Sequence, residues 1–189
     1  MTELRGEHLL LRPFEPDDAP ALAAIAGQRA IADTMISVAH PFDVDMAYAW
    51  IEQLGANDRR QSFAVVADGS LVGYAGLHDI DHEHGLAEIS FWTDPACQGR
   101  GLAAQAAQLL LDHAFGGLGL NRVQAFHMTR NPASGRLLAR LGFSEEGVMR
   151  QRVRKWDRFE DVVIWALLAD DPRGSNALQP KDGAGRASE

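Results

Sequence analysis

The 189-residue chain has a single cysteine, Cys97. One thiol cannot form a disulfide or a thiolate zinc site within the chain. That argues against a disulfide-stapled secreted scaffold and fits a reducing, cytoplasmic setting. Long apolar runs are missing as well. No stretch approaches the ~20 apolar residues of a membrane-spanning helix. The N-terminal run MTELRGEHLLLRPFEPDD carries charges throughout, where a signal peptide would carry an apolar segment. Basic charge is in deficit: 18 Lys and Arg stand against 26 Asp and Glu, a net charge of −8 at pH 7. A global nucleic-acid or anionic-membrane footprint is therefore not expected. An acidic surface tolerates cationic partners such as amines.

What is present is ordinary globular material, 46% hydrophobic and 23% charged, enough for one domain with a sizeable core. His8–Arg12 reads as a short strand, broken by Pro13-Phe14-Glu15-Pro16. Asp17 and Asp18 can cap a helix running through Ile25. Asp43 can cap another over Val44–Leu54, with Met46, Ala47, Trp50, Ile51 and Leu54 on one face. Ser62–Ala67, Leu71–Leu77 and Leu86–Thr93 read as an antiparallel meander, the first pair joined at Asp68-Gly69. Next come a helix over Leu102–Phe115, a strand over Asn121–His127, and a short helix capped by Asn131 that ends at Gly142. Glu146–Arg154 and Phe159–Leu168 form a final strand pair, and the tail 170–189 has the composition of a disordered segment. The order predicts an α+β fold: a mixed, mostly antiparallel sheet flanked by helices.

Between the third meander strand and the next helix lies Gln98-Gly99-Arg100-Gly101-Leu102-Ala103. Glycines there allow a tight turn and close approach of a ligand to the backbone. The free N–H groups at the helix start make an anion site for a phosphate or pyrophosphate. The Gly-Lys-Ser/Thr ending of a nucleotide P-loop is missing, and so is the glycine spacing of the dinucleotide fingerprint. Taken alone, the segment reads equally well as a glycine-rich turn with no ligand.

It does not stand alone. The pattern Gln/Arg-x-x-Gly-x-Gly/Ala resembles the coenzyme A pyrophosphate loop of the GNAT superfamily of N-acetyltransferases, and Gln98–Ala103 matches it. The run GLGLNRVQAFHMTRNPASGRLLARLGFSEEGVMR is similar to the branch that includes the ribosomal-protein N-terminal (Rim-type) acetyltransferases. There Asn-x-x-Ser opens the last helix and Leu-Gly-Phe closes it, as Asn131, Ser134 and Leu141-Gly142-Phe143 do here. LLLRPFEPDD and DRFEDVVIWAL extend the likeness over roughly Glu7–Leu168. The resemblance implies a GNAT domain over residues 1–169 and acetyl-CoA as cosubstrate, with no metal. It implies direct attack of a primary amine on the thioester in a gap between two splayed strands. The favoured acceptor is a protein N-terminal α-amine. A small-molecule amine (amino acid, polyamine or aminoglycoside) and a non-catalytic CoA-binding module stay open, and the branch allows a homodimer.

Site roles follow from the same resemblance. Phe91, Trp92 and Thr93 would bind the pantetheine arm through backbone groups, while Gln98, Gly99, Arg100, Gly101, Leu102 and Ala103 would hold the pyrophosphate. Asn131 would cap its helix and touch the arm. Glu88 shares a strand face with Ser90 and Trp92 and is the first candidate for general base. The alternative for Glu88 is a solvated strand glutamate. His127 is the rival base, or a structural histidine. Ser134 could hydrogen-bond the departing sulfur, or only local backbone. The tyrosine many members use as acid is replaced by Leu138. Cys97 beside the loop reads as packing rather than nucleophile. Met35, His40, Phe42 and Trp50 would line the acceptor site. His78, Asp79, Asp81, His82, Glu83 and His84 are expected on a solvated hairpin. Arg150, Arg152 and Arg154 are expected on one exposed strand face.

Overall fold

A computed structural model describes residues 2–54 and 58–174. The chain runs β1 (Leu4–Arg5), β2 (Leu10–Arg12), α1 (Ala19–Ala26), α2 (Arg29–Thr34), α3 (Val44–Gln53), β3 (Gln61–Ala67), β4 (Ser70–Asp81), β5 (Leu86–Thr93), α4 (Leu102–Asp112), β6 (Arg122–Met128), α5 (Pro132–Leu141), β7 (Ser144–Lys155) and β8 (Arg158–Leu168). The strands form one sheet in the order β1-β2-β3-β4-β5-β6-β8-β7. Every pairing is antiparallel except β5 with β6. This is the α+β architecture of the GNAT-like reading.

Period-two alternation along the strands divides the apolar residues between two faces. On one, Leu77, Ala87, Ile89 and Val123 pack against Leu110 and Leu111 of α4 and Leu138 of α5. On the other, Tyr74 and Trp92 pack against Leu22 and Ile25 of α1, Ile31 of α2 and Ile51 of α3. Trp92 therefore takes the face expected for Glu88 and Ser90. The two polar residues stand near the middle of the sheet, half-buried.

Several local expectations are met and some are corrected. Asp43 caps α3, its Oδ1 accepting from the Met46 N–H at 2.9 Å. Asp18 does not cap α1 with its side chain. Its carboxylate takes both arms of the Arg12 guanidinium, at 2.7 and 2.8 Å, and accepts from the Glu15 N–H at 2.8 Å. Burial alone would raise the Asp18 pKa, yet Arg12 and the Glu15 N–H hold it below the usual carboxylate range. The strand read as His8–Arg12 begins at Leu10, and Leu4–Arg5 adds an edge strand. Tail residues 170–174 fold back: the Arg173 guanidinium lies 4.8 Å from the Phe115 ring centre and pairs with Asp112. The remaining tail, 175–189, lies outside the described residues.

Candidate active site

β5 and β6 pair only over Leu86–Glu88 and Arg122–Gln124. Beyond Glu88, β5 continues along β4 to Thr93, and β6 continues along β8 to Met128. The two centre strands thus part just where Glu88 sits. A groove opens in the gap, walled by Ser90, Phe91 and Trp92 on one side and Ala125, Phe126 and His127 on the other. Asn131, Ser134 and Leu138 of the α5 region close it. A polar backbone left unpaired by the splay can accept an extended ligand as an added strand would be accepted.

At its other end the groove meets the glycine loop. Gly99 and Gly101 have φ of +80° and +73°, which a side chain disfavours. Gly101 stands at the N-cap of α4 in the left-handed conformation. The first intrahelical bond starts from the Gln105 N–H to the Gly101 carbonyl, so the preceding N–H groups point out of the helix end. Thr93, Gln98, Gly99, Gly101, Leu102, Ala103, Ala104 and Arg140 surround this mouth. The helix dipole and the Arg140 guanidinium both favour an anion there. Arg100 is turned elsewhere, its guanidinium bound to Asp68 at 2.8 Å. Any part Arg100 plays in the loop falls to its backbone.

A second cavity, about 430 Å³, adjoins the groove and shares Met35, Ser37, Glu88 and Trp92 with it. Phe42, Trp50 and Tyr74 supply aromatic walls. Tyr74 is central, with Trp92 stacked at 5.9 Å, His78 stacked at 6.2 Å and Trp50 edge-on at 5.7 Å. Of the four residues expected to line an acceptor site, Met35, Phe42 and Trp50 do so. His40 packs edge-on to Trp156 instead, at 6.0 Å.

His78 is corrected from the solvated hairpin to this cavity, which Asp79 also lines while staying exposed; His82, Glu83 and His84 are exposed on the hairpin as expected. Asp79 takes φ +47°, and the β4–β5 register slips between His78 and Asp81. That bulge resets the pleat, so two consecutive residues reach the same space. His78 Nε2 lies 3.0 Å from the Tyr74 hydroxyl and 2.5 Å from Ser90 Oγ. Burial, then Arg60, push the His78 pKa down to about 4 despite Asp79. The imidazole is neutral at pH 7.

Glu88 is the carboxylate where groove and cavity meet. Burial, then Asp79, raise its pKa above the usual glutamate value, while Arg152 works the other way. His127, the rival, is occupied. The Trp165 indole N–H can only donate, and it donates to His127 Nε2 at 3.0 Å. The His127 Nδ1–H must then be the donor to the Met128 carbonyl at 2.9 Å. A neutral imidazole with both nitrogens committed has no lone pair to offer an amine. Ser134 lies on the groove wall, its N–H bonded to Asn131 Oδ1 at 3.4 Å, and Leu138 stands one turn further along. Cys97 borders the glycine-loop mouth rather than the Glu88 end. The pleat across Arg150–Arg154 is interrupted at Gln151, φ +52°, so those arginines do not follow one uninterrupted strand face.

Of the wall formed by Met35–Val38 the sequence pointed only to Met35, and not to what holds it. Lys155, buried at the β7–β8 hairpin, donates to the Met35 carbonyl at 2.9 Å and the Val38 carbonyl at 2.7 Å. Trp156 Nε1 donates to Asp33 at 2.7 Å, and Arg130 to the Asp33 carbonyl at 2.7 Å. Among the described residues no three His, Cys, Asp or Glu side chains converge as a metal site, and no helix is long and apolar enough to cross a membrane.

The family described as acetyltransferase (GNAT) domain matches residues 8–144, a stretch that contains this splay and loop. The chain belongs to the GNAT acetyltransferases. It is an acetyl-CoA-dependent N-acetyltransferase. The Escherichia coli (strain K12) ribosomal-protein-serine acetyltransferase is 31% identical over 108 residues, 57% of this chain and 60% of that protein. The spermidine N(1)-acetyltransferase of the same organism is 28% identical over 137 residues, 72% of this chain and 73% of that protein. A structure of Mycobacterium smegmatis RimJ in complex with CoA-disulfide superposes with a TM-score of 0.80 at 27% identity, covering 89% of this chain and 86% of the other. As a GNAT fold, the chain has its loop, splay and α5 in the order expected for binding acetyl-CoA. Those relatives act by name on different amines, so the family establishes the reaction and leaves the acceptor open.

Proposed function

We propose that this GNAT enzyme acetylates the α-amine of a protein or peptide N-terminus. One observation carries the reading: the acceptor cavity opens onto the groove at Glu88 and holds little net charge. Asp79 and Glu88 are opposed there by Arg60, and His78 is neutral, which leaves one net negative charge. That balances a single ammonium. A polyamine would bring further cations that no remaining carboxylate in the lining balances. The likeness to a ribosomal-protein-serine acetyltransferase supports the same acceptor class, and the likeness to a spermidine acetyltransferase names its rival. Placement in the cytoplasm goes with this reading.

In this account the backbone N–H groups of Gly101–Ala104 and the Arg140 side chain bind the pyrophosphate, and the Phe91–Thr93 backbone holds the pantetheine arm. The thioester carbonyl then lies at the splay beside Glu88. Glu88 accepts a proton from the ammonium, directly or through water, and its raised pKa brings it nearer the operating pH. The amine lone pair attacks the carbonyl carbon, the carbon–sulfur bond breaks, and the thiolate takes up the second proton that the acylated nitrogen sheds, with Ser134 hydrogen-bonded to the sulfur. Bound orientation supplies much of the rate.

The test is thiol release from acetyl-CoA in the presence of a peptide, the same peptide with a blocked N-terminus, and spermidine. Turnover with the free peptide alone, with the acetyl group found on the α-nitrogen by fragment mass spectrometry, is the expected result. Turnover with spermidine alone, or acetylation of a lysine side chain in the blocked peptide, would overturn the reading.

A further inference from the structure

The acceptor cavity has a composition that speaks to the substituent beside the reacting amine. The amine must sit at Glu88, where the cavity joins the groove. The amine-bearing carbon of an N-terminal residue carries two groups, its side chain and the main chain. The groove is taken by the acetyl donor, so both leave on the cavity side, where the main chain can pass out by the exposed Ser37, Arg60 and Asp79 and the side chain meets the apolar walls. Leu22 and Ala26 of α1, Met35, Phe42 and Trp50 supply apolar surface there. Tyr74 is almost fully buried and its hydroxyl is engaged by His78 and Ser62, so it presents mainly its ring. His78 Nε2 is likewise engaged by Tyr74 and Ser90. The Tyr74 hydroxyl and His78 Nε2 are thus already paired, and the other polar lining, Ser37, Arg60 and Asp79, is exposed to solvent. A serine side chain reaching the buried Tyr74 and Trp92 walls would lose water without gaining a free partner there, which is unfavourable. An aspartate would add a third carboxylate beside Asp79 and Glu88, with only Arg60 to oppose them. A large apolar side chain would gain by burial instead. The volume, about 430 Å³, is in the range of sites that enclose small ligands.

We infer that the acceptor carries a bulky apolar first residue, such as phenylalanine, leucine or methionine, rather than serine, alanine or an acidic residue. This selectivity rests on the N-terminal acceptor reading above. Trp50 and Phe42 act as the specificity-determining side chains. Each methylene fitted into such a pocket is worth roughly 10-fold or more in discrimination, so leucine should exceed alanine by at least about tenfold in kcat/KM.

The experiment compares peptides identical except at the first residue, bearing Phe, Leu, Met, Ser, Ala or Asp, by thiol release. Leucinamide and alaninamide are run beside them as free amines. The expected result is a kcat/KM order with Phe, Leu and Met at least about tenfold above Ser, Ala and Asp. Trp50→Ala should shrink that ratio while leaving the acetyl-CoA Kd unchanged. Equal or better turnover of the Ser, Ala or Asp peptides would overturn the inference and leave the N-terminal acceptor standing. If no peptide reacts but leucinamide outpaces alaninamide, the apolar pocket stands and the peptide reading falls. If the free amines are turned over alike and no peptide reacts, both fall.

Discussion

Lys155 Nζ donates to the Val38 carbonyl at 2.7 Å, tying the β7–β8 hairpin to the loop that walls both groove and cavity. The same ammonium reaches the Met35 carbonyl at 2.9 Å. Its pKa is lowered by burial and then by Arg130, with Asp33 opposing. Lys155→Met keeps the aliphatic stem and removes the donors. Two backbone carbonyls then lose their partner, at a cost of about 1–3 kcal/mol in stability. The Met35–Val38 wall should loosen, raising KM for the acceptor severalfold while the Kd for acetyl-CoA stays put. Steady-state kinetics with isothermal titration calorimetry separates the two.

His78 sets a pH signature. Its folded pKa of about 4 lies below the unfolded value of 6.5. The unfolded chain therefore binds the proton first as pH falls. The neutral, buried imidazole contributes stability in full above pH ~6.5, and that contribution is lost progressively down to about pH 4. Denaturant midpoints measured between pH 7 and pH 4 should fall in the wild type. His78→Gln should flatten that slope.

His127 is predicted to be structural. His127→Gln removes a ring held between the Trp165 N–H and the Met128 carbonyl. Stability should drop by about 1–3 kcal/mol, and turnover at saturating substrates should stay within a few-fold of wild type. A drop of a hundredfold or more in kcat, with the remaining rate climbing as pH rises, would point back to His127 as the base.

The glycine loop gives a binding prediction. Gly101 has φ +73° at the start of α4, so Gly101→Val forces a β-branched residue into a conformation it resists. The Kd for CoA should rise by at least about tenfold, near 1.4 kcal/mol. Circular dichroism should report a retained fold, since the strain is confined to a surface loop.

Much of this arrangement was legible in the order of residues. The strict alternation of Leu86–Thr93 put Glu88, Ser90 and Trp92 on one face, and they share it. Asn131 and Gly142 marked both ends of α5, and Gly99 and Gly101 marked the loop. The acceptor side was far less readable. Asp79 takes a left-handed conformation at the bulge, which brings His78 into the cavity wall with the exposed Asp79 beside it, while His82, Glu83 and His84 stay exposed. No local pattern announces such a bulge. The same holds for Lys155, whose partners Met35 and Val38 lie more than a hundred residues away in sequence. His127 could be weighed as a base until the Trp165 indole was seen to occupy its Nε2. Short-range periodicity reports strands and caps. Who meets whom across a crossover is decided by tertiary packing.

If the carboxylate at the junction of groove and acceptor cavity takes the amine's proton, Glu88→Gln removes the base, because the amide keeps the shape and loses the basicity. The pH–rate profile of kcat/KM is measured for wild type and variant, alongside acetyl-CoA affinity. The wild-type acid limb should fall above the ordinary glutamate pKa of 4.5, in line with the burial of Glu88. The variant should bind acetyl-CoA normally and lose ~10²–10⁴-fold in turnover, its residual rate climbing with pH as free amine accumulates. A Glu88→Gln enzyme with near-normal turnover at neutral pH would contradict the account.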